Sequence, residues 1–188
     1  MSRVLGIVFT AALMLFAATA QADDYSDTLT LFKNAHESGP MLKSAYAYAV
    51  FPTIGKGGLV VGGAYGRGRV YEKGAYIGDT SMTQVSVGFQ AGGQGYSQLV
   101  LFQDKRALDE FTSGNFEFSA DVSAVAITAA AGASAGTSGA NAGASGGKND
   151  AKTAGTWYKG MAVYTVVKGG AMYEAAVAGQ KFKYTPKS

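Results

Sequence analysis

The chain has 188 residues, 47% of them hydrophobic, with 16 basic and 13 acidic side chains, one histidine and no cysteine. A formal charge of +3 falls short of the strongly basic footprint of a nucleic-acid binder, so no nucleic-acid partner is expected. Without cysteine there is no disulfide framework and no thiol chemistry, and the fold must rest on burial and backbone hydrogen bonds.

Arg3, the apolar run from Val4 to Ala18 and the tripeptide Ala20-Gln21-Ala22 have the form of a secretory signal peptide. The run is shorter than the ~20 residues that span a bilayer. Cleavage after Ala22, or alternatively after Ala20, makes residues 1–22 a leader and residues 23–188 a single domain. A periplasmic or secreted location is the expectation.

Tyr25, Leu29, Phe32 and His36 recur at helical spacing, and Asp24 can cap the start, so Asp24 to Glu37 predicts a helix. Gly39-Pro40 breaks it. Pro40 then suits the first position of a second helix running to Ala49, with Leu42, Ala45 and Ala49 inward. Pro52 disfavours helix at Phe51 and would end it. From Gly57 the pattern turns to strands: Leu59 to Val61, Arg69 to Tyr71, and Ala75 to Ile77 after a Lys73-Gly74 turn. "TQVSVGFQ" alternates, with Val85, Val87 and Phe89 on one face and Gln84, Ser86 and Gly88 on the other. "YSQLVLFQ" is mostly apolar and reads as a central strand. Asp104 caps a helix through Thr112, closed by Gly114, with Leu108 and Phe111 toward the core. "FEFSADVSAVAIT" reads as a further alternating strand. Residues 132–147 are almost entirely Gly, Ala and Ser and read as a mobile segment. "WYKGMAVYTVV" and "AMYEAAVAG" predict a last hairpin across Lys168-Gly169-Gly170. The fold class expected is α+β. A strongly curved antiparallel sheet or barrel carries N-terminal helices and one further helix packed on it.

Eight glycines fall between Gly55 and Gly74. A dinucleotide fingerprint needs a helix after its glycines, yet Gly68 leads into the β-prone Val70-Tyr71. A Walker loop needs Gly-Lys-Ser/Thr, and Lys56 is followed by Gly57. The glycines are therefore read as structural. They lack side chains where strands bend or another backbone comes close.

The same stretch carries a resemblance. Val50-Phe51-Pro52, Lys56-Gly57-Gly58 and Val61-Gly62-Gly63-x-x-Gly66-x-Gly68 are similar to the signature of the SYLF domain family. The strand from Gln94 to Phe102, the helix with Leu108 and Phe111, and "EFSADVSA" extend the likeness over roughly Ser38 to Tyr184. The ending "MYEAAVAGQKF" departs from the family's usual final strand at Glu174. The resemblance implies phospholipid binding. Some eukaryotic relatives bind phosphoinositides and fungal ones bind actin, but only a general lipid- or envelope-binding role transfers to an exported protein.

The residues offer little for catalysis. His36 has only Asn34 and Glu37 near it in sequence, a weak case for a metal, and its ordinary role is that of a helix-end residue. Glu72, Asp79, Glu117 and Asp121 could be gathered only by the fold. No catalytic residue, metal ligand or cofactor is assigned, and a non-enzymatic role is expected. The candidate lipid contacts are Lys56, Arg67, Arg69, Tyr71 and Lys73, a basic stripe bearing an aromatic ring that could meet anionic head groups. An ordinary solvent-facing sheet surface would look the same. The amphipathic first helix could lie in a bilayer interface, but packing on the sheet is its usual use. The expected partner is a phospholipid or membrane surface. The alternative is an envelope structural or interaction module that docks a protein through exposed strand edges.

Overall fold

The computed structural model describes residues 24–58, 61–87, 94–119, 122, 124–127, 157–168 and 177–188. Residues 24–34 form helix α1, and Gly39–Ser44 form α2. Next come β1 (Ala47–Gly58), β2 (Val61–Glu72), β3 (Ala75–Val87) and β4 (Gln94–Phe102). Helix α3 (Lys105–Thr112) precedes β5 (Phe116–Glu117), β6 (Ala124–Ile127), β7 (Met161–Lys168) and β8 (Lys181–Pro186). All eight strands join one curled sheet in the order β5-β8-β3-β2-β1-β4-β7-β6. The pairings are antiparallel except that of β6 with β7, which is parallel. The expected α+β class and strongly curved sheet are what is observed, as a half-barrel.

The sheet buries its inner face and part of its outer face. Its inner face carries Ala49, Phe51, Ile54, Val70, Met82, Val100, Val163 and Phe182. Helix α3 plugs that concavity with Leu108 and Phe111, the two residues its periodicity singles out. Phe111 lies 5.0 Å from the Phe182 ring, and Phe118 lies 5.2 Å from it, so one aromatic cluster ties α3, β8 and the residue after β5 together. Asp104 caps α3 as its sequence predicts, its carboxylate accepting from the Ala107 amide at 2.9 Å. The outer face of the central strands, with Val50, Leu99, Leu101, Tyr164 and Val166, is covered by Phe32 of α1, Ala35 just after it and Leu42 of α2. The N-terminal amphipathic helix therefore packs on the sheet.

Three sequence expectations are corrected. The second helix stops at Ser44, not Ala49, because residues from Ala47 onward pair with β2 on one side and β4 on the other. Sheet burial there outweighs the weak helix preference of an alanine-rich stretch. The separate strands read at Ala75–Ile77 and from Thr83 are one continuous β3. The alternation beginning at Phe116 is split into β5 and β6, and between them the Val122 amide donates to the Ser119 carbonyl at 3.2 Å. The Gly/Ala/Ser segment 132–147 and the turn at Gly169-Gly170 lie outside the described residues.

The glycine-rich motif resolves into an interlock. Pairing of β1 with β2 jumps between Val50 and Thr53, so Phe51 and Pro52 together face the single residue Gly68. This is a β-bulge, one of the few places a central strand tolerates proline, whose nitrogen has no hydrogen to donate. The Pro52 carbonyl still accepts from the buried Ser97 hydroxyl at 2.7 Å. A Cβ on Gly68 would lie 2.6 Å from the Phe51 ring, and one on Gly66 would lie 2.5 Å from Ile54 Cγ1. The glycines at 66 and 68 leave the space that these two core side chains fill.

The interior also holds polar groups. Gln98 and Gln180 are fully buried and form a reciprocal amide pair at 2.8 and 3.0 Å. The Gln180 amide also donates to the Tyr96 hydroxyl at 3.1 Å. Burial pushes that hydroxyl up to about 12, against a smaller lowering by the Gln180 hydrogen bond. An unfolded tyrosine ionises near 10.0, so the folded state holds this proton more tightly. The contribution is complete below pH 10 and is lost as pH rises toward about 12. Two units correspond to about 3 kcal/mol. Urea unfolding should show the stability of the native chain falling across this window more steeply than that of Tyr96→Phe. Equal slopes would contradict the assignment.

A basic, hydroxyl-lined face of the sheet

Along β2 the even residues from Gly62 to Val70 point inward, while Gly63, Tyr65, Arg67 and Arg69 point outward. β3 and β8 add their own outward residues in register. Three cross-strand rows result: Tyr65–Thr83–Lys181, Arg67–Ser81–Lys183 and Arg69–Asp79–Thr185. Neighbouring strands lie about 4.8 Å apart. Arg67 and Lys183 thus stand roughly 10 Å apart at their backbones with the Ser81 hydroxyl between them. The shallow groove over these rows encloses about 350 Å³ and is lined by Tyr25, Arg67, Arg69, Asp79, Ser81 and Lys183 among others. Three cations face one carboxylate there.

The cations differ in how far they are already engaged. Arg69 is held against the sheet: its guanidinium lies 4.3 Å from the centre of the Tyr25 ring, 5.6 Å from that of Tyr76, and 4.0 Å from Asp79. Arg69 therefore pins the start of α1. Burial is the main cause raising the Tyr25 hydroxyl's pKa, and the Arg69 charge works the other way. Arg67 is exposed, and its Nε donates to the Tyr65 hydroxyl at 3.1 Å. Lys183 is exposed, and among the described residues no carboxylate pairs with it, whereas Lys181 lies 3.6 Å from Glu117.

The five residues singled out from sequence do not form one site. Arg67 and Arg69 share the outer face. Tyr71 points the same way but is half-buried, its ring stacked 5.0 Å from Tyr48 under the N-terminal helices. Lys73 lies beyond the strand, in the β2–β3 turn with φ of 50°, where its ammonium sits 5.1 Å from the Tyr46 ring. Lys56 pairs across from Ala64 and points to the inner side. Lys73 lies nine residues beyond Ala64, roughly 30 Å along the strand. Sequence reading missed Ser81, Lys181 and Lys183. The "KFKYTP" alternation was the available signal: lysines out, Phe182 and Tyr184 in.

The carboxylates that could have served hydrolysis are dispersed. Glu72 accepts from the Tyr46 hydroxyl, Asp79 lies by Arg69, and Glu117 lies by Lys181. Asp121 lies outside the described residues. His36 is exposed in the turn between α1 and α2. Among the described residues no group of three His, Cys, Asp or Glu side chains could hold a metal ion. No described helix is long and apolar enough to cross a membrane.

Residues 83–185 match the family described as "Ysc84: Las17-binding protein actin regulator". The chain belongs to this family, the SYLF family. The match takes in Lys181 and Lys183, while the bulge motif and Arg67 precede it. Among curated proteins the chain is similar to "Beta cell expansion factor A" of Aeromonas veronii. The two are 27% identical over 158 residues, covering 82% of this chain and 51% of that protein. The chain thus spans about half the length of that SYLF-family relative.

Proposed function

We propose that this chain is a non-enzymatic, peripheral binder of anionic phospholipid head groups. In this reading it acts in the periplasm or outside the cell after a leader ending at Ala22 or Ala20 is removed. Membership of the SYLF family supports a lipid-binding or related role. The observation that carries the reading is the Arg67–Ser81–Lys183 row: two exposed cations flank a hydroxyl on an open sheet face. A phosphate between them would gain a bidentate guanidinium, an ammonium and a hydroxyl donor.

Vesicle pelleting tests this. Near an anionic surface each basic residue contributes about 1 kcal/mol, so Arg67→Gln and Lys183→Gln should each weaken binding to phosphatidylglycerol-containing vesicles about fivefold. Lys73→Gln, remote from the row, should change little. Native-like binding by the Arg67→Gln/Lys183→Gln double variant would refute the site.

A protein partner is the second reading. The matched family's description is of a protein that binds another protein. Among the described residues, β5 pairs with only Lys181 and Phe182 of β8, which leaves the edge from Lys183 to Pro186 open. The lysine and proline on that edge resist strand addition, and the lipid reading is preferred. Crosslinking that traps a protein at Lys183, without vesicle binding, would reverse the preference.

A further inference from the structure

The end of the sheet nearest Gly55 and Gly63 is turned inside out. On β3, Gln84 points inward and donates to the Ala178 carbonyl at 2.9 Å. Its neighbour Val85 points outward and is 78% exposed, two residues past Thr83, where the pairing of β3 with β8 ends. The cross-strand neighbour of Val85 on β2 is Gly63, so no side chain covers it there. Tyr65, 51% exposed, is flanked by Gly55 on β1 and Thr83 on β3. On β1, Lys56 takes the inner side and Gly55 the outer.

Unlike Gly66 and Gly68, these outward glycines are not required by packing. A Cβ on Gly55 would meet nothing within 4 Å, and one on Gly63 would meet only a backbone oxygen at 3.6 Å. Their effect is to leave Val85 and the Tyr65 ring with no side chain opposite on those strands, while the Tyr65 hydroxyl accepts from Arg67 Nε at 3.1 Å. Val85 lies outermost, and cations stand one and two rows behind it, the first of these rows being that of Tyr65. The row through Tyr65 runs Lys168–Gly95–Gly55–Tyr65–Thr83–Lys181 across six strands, and the next holds Arg67 and Lys183. Successive rows on one face are about 7 Å apart along the strands. That spacing matches the depth of about 5–10 Å to which interfacial apolar groups enter a bilayer.

Building on the head-group reading, we propose that this end of the half-barrel is the part that enters an anionic membrane. Val85 reaches the acyl boundary, Tyr65 sits one row behind it at the head-group boundary level with Lys168 and Lys181, and Arg67 and Lys183 stand one row further back at the phosphates. Helix α3 packs on the inner face and starts beyond the far end of β4, so it lies off this outward patch.

The chain has no cysteine, so Val85→Cys can carry a single environment-sensitive fluorophore, with Asp109→Cys on α3 as the control. With phosphatidylglycerol-containing vesicles the Val85 label should brighten several-fold and shift to the blue, and the Asp109 label should not. A Tyr65→Ser/Val85→Ser variant should lose roughly tenfold in binding at high salt, where charge attraction is screened and apolar burial remains. Both positions are exposed, so the variant should keep its far-UV circular dichroism. Pelleting with vesicles while the Val85 label stays in water would overturn the orientation and leave the head-group site standing. Absence of pelleting would overturn both. A blue-shifted Val85 label before lipid is added, with a sedimentation mass of two chains, would assign the patch to a second copy and overturn the proposal.

Discussion

Gly68→Ala should cost about 3 kcal/mol in urea unfolding, the upper end of what overpacking a core costs. The added Cβ would lie 2.6 Å from two carbons of the Phe51 ring and 2.9 Å from the Val50 carbonyl. The carbonyl is fixed by the β1 ladder and cannot retreat. The ring is fully buried and packs 5.7 Å from Phe182, so its movement would disturb the aromatic cluster that seats α3. Gly66→Ala should behave similarly, since Ile54 Cγ1 would lie at 2.5 Å and the Thr53 carbonyl at 3.1 Å. Gly55→Ala, with open space, should change stability by no more than about 0.5 kcal/mol. If alanine at 68 and at 55 shifts the midpoint equally, the interlock between bulge and glycines is wrong.

The second large effect is expected inside the half-barrel. Gln98→Leu preserves volume but leaves the Gln180 amide with unmade hydrogen bonds in a fully buried site. An abandoned buried polar group costs about 1–3 kcal/mol. Gln180 is also structural through its backbone, whose carbonyl accepts from the Phe118 amide at 3.0 Å while its own amide donates to Val177 at 3.1 Å. Loss of its side-chain partner should therefore loosen the entry to β8. Combining Gln98→Leu with Gln180→Leu and Tyr96→Phe removes every member of the network, and most of the lost stability should return. Strictly additive losses across the series would show that the three side chains do not act as a unit.

Much of this architecture is legible before any coordinates. Helix α3 announces both ends and both core residues, because capping and amphipathic spacing are local properties of about ten residues. The Lys73-Gly74 turn and the strands around it are legible for the same reason, and Gly74 takes the φ of 84° that such a turn needs. The bulge motif resembles the signature of the family, but nothing local says that Phe51 rests on Gly68. That contact depends on a register offset between two strands.

The candidate site was half legible. Arg67 and Arg69 share a face because residues two apart on a strand always do. Their separation from Lys56, and the engagement of Arg69 by Tyr25 and Tyr76, came from packing. Lys183 is more than a hundred residues away in sequence and joins the row only because β8 pairs with β3.

What the amino-acid order decided alone was the local vocabulary: caps, turns, alternating stretches, the missing cysteines and a glycine pattern that resembles the SYLF signature. Tertiary structure decided the rest. Ala47–Ala49 became strand instead of helix, Val85 faced outward while Gln84 faced in, and two distant cations came to flank one serine. The physical reason is that strand pairing is a long-range choice. Its register and its buried side are set by which other strands are present, and no short window of sequence contains them.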